Sequence, residues 1–271
     1  MKTRIIAGAA LLCALLALML WAPDYLVTIV VGVMAGIGSY ELLYRTGLQK
    51  NLRLNMYSAA MAFLVSLWSG FGCSYSWALV GILLYYALLF GEMMASKLKL
   101  QFKDAMVCML SGVVMPFLLT ALVRILCMER GRMLVYIPFV MAFLSDTGAY
   151  FVGVTCGKHK MAPVISPKKS WEGFAGGIVT AMLGMVAYAL LLDHVFGQEV
   201  NYWVAVLYGL VGSLAGVFGD LTLSVVKRQV GLKDYGNLIP GHGGILDRFD
   251  SVMVTAPLTE ALLLLAPIWV N

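Results

Sequence analysis

Acids, cations and glycines crowd together near the carboxyl-terminal end of this 271-residue chain. Asp220, Ser224 and Lys227 follow one another at intervals of four and three residues, so on a helix they share a face. Beyond Arg228 come Lys233-Asp234, Pro240-Gly241-His242-Gly243-Gly244 and Asp247-Arg248-Phe249-Asp250. Carboxylates bind hard divalent cations, lysine and arginine neutralise phosphate, and glycines let backbone approach an anion closely. The chemistry this combination suits is that of a metal-bound phosphate. Asp247 and Asp250 are three apart, so an early start to the following helix would bring both to one face and to one cation. Each piece also has a plainer reading. Asp220 could pair with Lys227 or Arg228 at an interface, His242 could be a hydrogen-bonded structural residue, Pro240-Gly241 a simple turn, and Asp250-Ser251 a helix cap.

A second basic cluster lies upstream, in Ser166-Pro167-Lys168-Lys169-Ser170-Trp171-Glu172-Gly173. Ser166 reads as a helix N-cap with Pro167 at the first helical position, which makes Lys168 and Lys169 a basic entrance for a lipid phosphate. The alternative is a cationic anchor with no substrate role. Asp146, with Tyr150 one turn later, reads as a second buried acid that supports the metal site or pairs within the bundle.

The elements that must carry these groups are membrane helices. Hydrophobic residues make up 61% of the chain and charged residues 12%, about half the charged share of a soluble globular protein. Runs near the ~20 residues that a bilayer requires recur between short polar clusters. Roughly nine spans are expected, at 5–22, 25–44, 56–72, 76–92, 105–123, 133–155, 173–196, 201–226 and 251–270. The fold class is therefore an all-α polytopic bundle. Residues 1–271 read as a single integral membrane domain, with amino-terminal spans over 1–130 and catalytic spans and loops over 131–271. The first run reads as a retained helix, because it is longer than a signal-peptide core and lacks a small-residue cleavage site.

Placing the amino terminus and the loops after spans two, four, six and eight in the cytoplasm puts 16 Lys and Arg there and 3, Arg124, Arg130 and Arg132, on the other side. The polar clusters then face the cytoplasm. In the eighth span, Gly212 and Gly216 are four apart, a spacing that permits close helix contact ahead of Asp220. The five cysteines are scattered through apolar runs with no CxxC pair, which argues against a disulfide framework or a zinc site. The net charge of +5 could suggest an anionic partner but says little apart from where the lysines and arginines lie, and no nucleic-acid partner is expected.

Read as one string, Ser224-x-Val226-Lys227-Arg228-x4-Lys233-Asp234-x-Gly236-x2-Ile239-Pro240-x-His242-Gly243-Gly244-Ile245-x-Asp247-Arg248-Phe249-Asp250 resembles the signature of the phosphatidate cytidylyltransferases, or CDP-diacylglycerol synthases. The segment from Ser166 to Gly173 looks like a second motif of that family, whereas the first 130 residues resemble it in hydropathy alone. The resemblance implies condensation of CTP with phosphatidate to CDP-diacylglycerol and pyrophosphate in the cell membrane. It also implies a divalent cation, usually magnesium, with another divalent ion or a second cation compatible. By family pattern Asp220 and Asp247 are the principal metal carboxylates and Asp250 a further acid. Lys227, Arg228, Lys233, His242 and Arg248 surround the nucleotide phosphates, with Ser224, Gly243 and Gly244 in the same string. Ser166, Lys168 and Lys169 are assigned to the lipid phosphate. A homodimer is compatible with the sequence. Two rival readings are CMP transfer to a different lipid phosphate and an ion-coupled secondary transporter using Asp146 and Asp220; no internal repeat of the kind such transporters show is evident.

Overall fold

The computed structural model describes residues 14–97, 99–238 and 243–270. Most of the first expected span falls outside these residues; 14–21 are helical. Among the described residues, seven helices are long and apolar enough to cross a membrane: Asp24–Arg45, Leu52–Phe71, Tyr75–Ala95, Phe102–Leu126, Gly131–Cys156, Trp171–His194 and Tyr202–Gln229. The chain is an integral membrane protein built from helices. Large apolar side chains such as Leu83, Leu84 and Val154 stand exposed on their outer faces, as a lipid solvent allows.

The chain folds as two compact units, each drawn from two stretches of sequence. One comprises Met1–Glu129 with Gln229–Phe249, the other Arg130–Arg228 with Asp250–Asn271.

In the first unit, α1 (Asp24–Tyr40) follows Pro23 and carries Asp24 in its first turn, where the helix dipole favours an acid. It runs on into a π-helical turn, Glu41–Arg45. Asn51 caps α2 (Leu52–Phe71) by accepting from the Arg53 N–H, and α3 (Tyr75–Ala95) returns beside it. The next span is broken into α4 (Phe102–Met109), a second π turn (Leu110–Val114), α5 (Met115–Leu119) and α6 (Ala121–Leu126). Leu43, Leu54, Tyr85, Leu89 and Cys108 close the core, and the Tyr85 hydroxyl donates to the Cys108 carbonyl at 2.8 Å. The four-residue helix α11 (Leu246–Phe249) belongs to this unit as well.

In the second unit, α7 (Gly131–Leu134) leads into α8 (Ile137–Cys156). There follows a hairpin, with β1 (Lys160–Ala162) antiparallel to β2 (Ser166–Ser170). This corrects the expected helix start at Ser166: the segment is a strand, and Ser170 is the N-cap of α9 (Trp171–His194), accepting from the Gly173 N–H at 3.2 Å. Pro167 is tolerable in so short a hairpin because one side of every strand is an edge. Helix α10 (Tyr202–Gln229) packs its glycine stripe on α8; a Cβ at Gly212 would overlap the Met141 side chain, and one at Gly216 would lie 3.8 Å from the Ala142 Cα.

The ninth expected span is shorter than the sequence suggested. Helix α12 covers Val252–Leu265, 14 residues, and Ala266 leaves the helix at φ −142° and ψ 75°. Pro267 explains the stop, since proline disfavours helical geometry in the residue before it. The chain then runs extended, with Trp269 bridged to Val200.

Candidate active site

In the second unit the hairpin and α10 bring charge together. Strand geometry turns successive side chains to opposite sides, so Lys168 is exposed while Lys169 is partly buried. The Lys169 Nζ lies 2.6 Å from Asp220 Oδ2. One turn later the Ser224 hydroxyl donates to Asp220 Oδ1 at 3.2 Å. Farther along the helix Lys227 is 7% exposed and Arg228 donates through Nε to the Ile165 carbonyl at 3.1 Å, fastening the end of α10 to the hairpin.

Asp250 follows in the turn before α12. Burial and the neighbouring Asp220 carboxylate push its carboxyl above the usual range, while Lys227 opposes them. Ser251 is the N-cap of α12 without a side-chain cap; its hydroxyl is directed instead to Asp146 Oδ2 at 3.4 Å. Asp146, expected to be buried, is exposed. It lines a cavity of about 180 Å³ together with Tyr150, Lys168, Lys169, Phe174 and Val217. The lining thus combines one acid, two cations and apolar side chains.

The first unit holds the remainder of the signature. Gly243 has φ +85°, a left-handed conformation that costs glycine little. Asp247, 7% exposed, accepts through Oδ2 from the Tyr235 N–H at 2.7 Å and the Gly244 N–H at 2.9 Å. Lys233 and Arg248 are exposed. His242 lies outside the described residues. Asp247 and Asp250 do not sit on one helix that starts early: α11 ends at Phe249, and a turn at Asp250 and Ser251 precedes α12.

A sequence model of the cytidylyltransferase family matches residues 2–266. The chain belongs to this family. The match takes in the amino-terminal spans, where hydropathy alone had pointed the same way. Among similar proteins, a phosphatidate cytidylyltransferase of Staphylococcus epidermidis is 41% identical over 171 residues, which is 62% of this chain and 63% of the relative. One from Staphylococcus haemolyticus is 39% identical over 185 residues, 68% and 66% of the two chains, and one from Staphylococcus aureus is 40% identical over 171 residues, 62% and 63%. The chain thus matches just under two thirds of the length of these relatives.

In this family member, one buried acid was not among the candidates that the sequence offered. Glu41 is 3% exposed, and its two oxygens accept from the Ile245 and Leu246 N–H groups at 3.1 and 3.0 Å. The signal was available: Glu41 is an acid inside an apolar span, the criterion that singled out Asp146 and Asp220. Glu172, quoted above only as part of a motif, accepts from the His159 ring at 2.5 Å and from the backbone N–H groups of Lys158 and His159, bracing the hairpin.

Among the described residues, no three His, Cys, Asp or Glu side chains form a ready-made metal cage. Magnesium is commonly held by one or two carboxylates together with water and substrate phosphates. Asp220 and Asp250, electrostatic neighbours in the second unit, fit that habit, and the Lys169 ammonium already shows that Asp220 accepts a cation.

Proposed function

We propose that this chain transfers CMP from CTP to phosphatidate, releasing pyrophosphate and forming CDP-diacylglycerol at the cytoplasmic face of the cell membrane. The observation that carries the reading is the Lys169–Asp220 ion pair beside the cavity that Lys168 also lines. The similar staphylococcal proteins are named for transfer of a cytidylyl group to phosphatidate, which supports the reading. An oxygen of the lipid phosphate attacks the α-phosphorus of CTP, and the bond from that phosphorus to the bridging oxygen of the β-phosphate breaks. The attacking oxygen is already anionic near neutral pH, so little general-base help is needed.

The protein's task is positioning and charge compensation. Lys168 and Lys169 receive the lipid phosphate, and its acyl chains stay in the bilayer. Lys227, Arg228, Lys233, His242 and Arg248 neutralise the nucleotide phosphates. Asp220 and Asp250 are the carboxylates that would hold a magnesium ion, which when bound supplies Lewis-acid stabilisation of the phosphates.

The test is purified protein with CTP, phosphatidate and magnesium, assayed for CDP-diacylglycerol and pyrophosphate. Product formation that stops on chelation and returns with magnesium is the expected result; no product in the complete mixture rejects the reading. A chiral α-thio analogue of CTP should give inversion at phosphorus, as one displacement requires. Single cysteines placed beside Lys168 and Lys233 in a cysteine-free background should be labelled from the cytoplasmic side.

A further inference from the structure

Helix α1 is regular as far as Tyr40 and then widens into the π turn Glu41–Arg45. Such a turn displaces side chains from ordinary helical register and is frequent at functional sites. Glu41, its first residue, answers the Ile245 and Leu246 N–H groups, 204 and 205 residues away in sequence, with one oxygen each. An intramembrane acid is costly without partners, yet the partners here are backbone of the signature loop.

The loop is shaped around that carboxyl group. A Cβ on Gly244 would overlap both Glu41 oxygens, and a Cβ on Gly236 would overlap Oε1. Neither glycine lies in the left-handed region. A side chain at either position would therefore displace the Glu41 carboxyl group from its place against the loop. Next to them Asp247 takes the Tyr235 and Gly244 N–H groups. Glu41 and Asp247 thus hold four backbone donors between Tyr235 and Leu246.

We infer that Glu41 is a positioning residue: it fixes the backbone of the signature loop, and through it the Asp247 carboxylate. The part played in catalysis rests on the function proposed above; the holding of the loop does not.

Hydrogen exchange on the purified full chain without substrates reads the second point directly. A peptide covering 243–250 should exchange about a hundredfold faster in Glu41→Ala, which loses two bonds from backbone to a buried acceptor. Glu41→Gln should be intermediate, because glutamine offers one acceptor oxygen and turns an amide donor toward the other N–H. Gly244→Ala should loosen the same peptide in the wild type and add nothing in Glu41→Ala, where the overlapping group is gone. If Glu41→Ala does not accumulate, Glu41→Gln and Gly244→Ala carry the test. Wild-type protection in Glu41→Gln, or an equal effect of Gly244→Ala in both backgrounds, overturns the inference.

In turnover, Glu41→Gln should lower kcat/KM for CTP about tenfold or more and leave the KM for phosphatidate within about twofold, a split that loss of folded protein would not produce. Loosened exchange with a wild type inactive on CTP and phosphatidate would uphold the holding of the loop and reject only the substrates.

Discussion

The two units treat their acids in opposite ways. In the first, Glu41 and Asp247 are almost wholly buried and answered by backbone N–H groups of one loop. In the second, Asp220 is a quarter exposed and answered by the Lys169 ammonium beside a cavity. Backbone donors cannot leave without unfolding the loop, whereas a lysine on a flexible stem can exchange one anion for another. The first arrangement suits holding a shape, and the second suits receiving a charged substrate.

The largest effect that would sharpen this contrast is expected of Asp220→Asn. An amide is a poorer magnesium ligand than a carboxylate, so kcat should fall at least about a hundredfold in a protein that still inserts and elutes as folded. Near-normal turnover would break the assignment of Asp220 to the metal.

Lys169→Met should come next. It should lower kcat/KM about tenfold and, combined with Asp220→Asn, give a coupling in thermal stability of about 1 kcal/mol, as expected for side chains in contact. Additive effects would mean that the ion pair does nothing in the folded protein.

Two glycines then test whether the first unit's loop is set by contact or by backbone freedom alone. Gly243 and Gly231 both have positive φ, but a Cβ would lie 2.6 Å from Asp247 Oδ2 at the former and meet nothing within 4 Å at the latter. Each change to alanine should cost about 1 kcal/mol of stability for the left-handed backbone. Only Gly243→Ala should also slow turnover several-fold, and equal activity losses would count against contact as the cause. The smallest effect belongs to Lys168→Ala. The exposed lysine is worth about 1 kcal/mol at an anionic surface, so the KM for phosphatidate should rise up to several-fold and less so at high salt, with kcat unchanged.

Sequence periodicity was enough for the helices from Asp24 to Gln229, because span length and apolar character are set locally by the bilayer. The same held for the helical neighbours Asp220 and Ser224, which meet because residues four apart share a face. The contact between the Gly212–Gly216 stripe and α8 was legible only as a spacing, since the spacing names no partner. The strand at Ser166–Ser170 was not legible. Ser-Pro followed by lysines is equally consistent with a helix start, and the choice was made by pairing with Lys160–Ala162 and by Ser170 taking the cap. The stop at Leu265 could have been taken from Pro267, but hydropathy outweighed it.

What the sequence determined by itself is thus local: the membrane helices and the composition of the signature, which carried the family resemblance later matched over residues 2–266. What only the tertiary structure decided is which groups meet across long stretches of chain. Glu41 reaches Ile245 and Leu246, Lys169 reaches Asp220, and Ser251 reaches Asp146. The physical reason is that hydropathy and helical period act over a few residues, whereas a buried carboxyl group takes whichever donors packing brings to it.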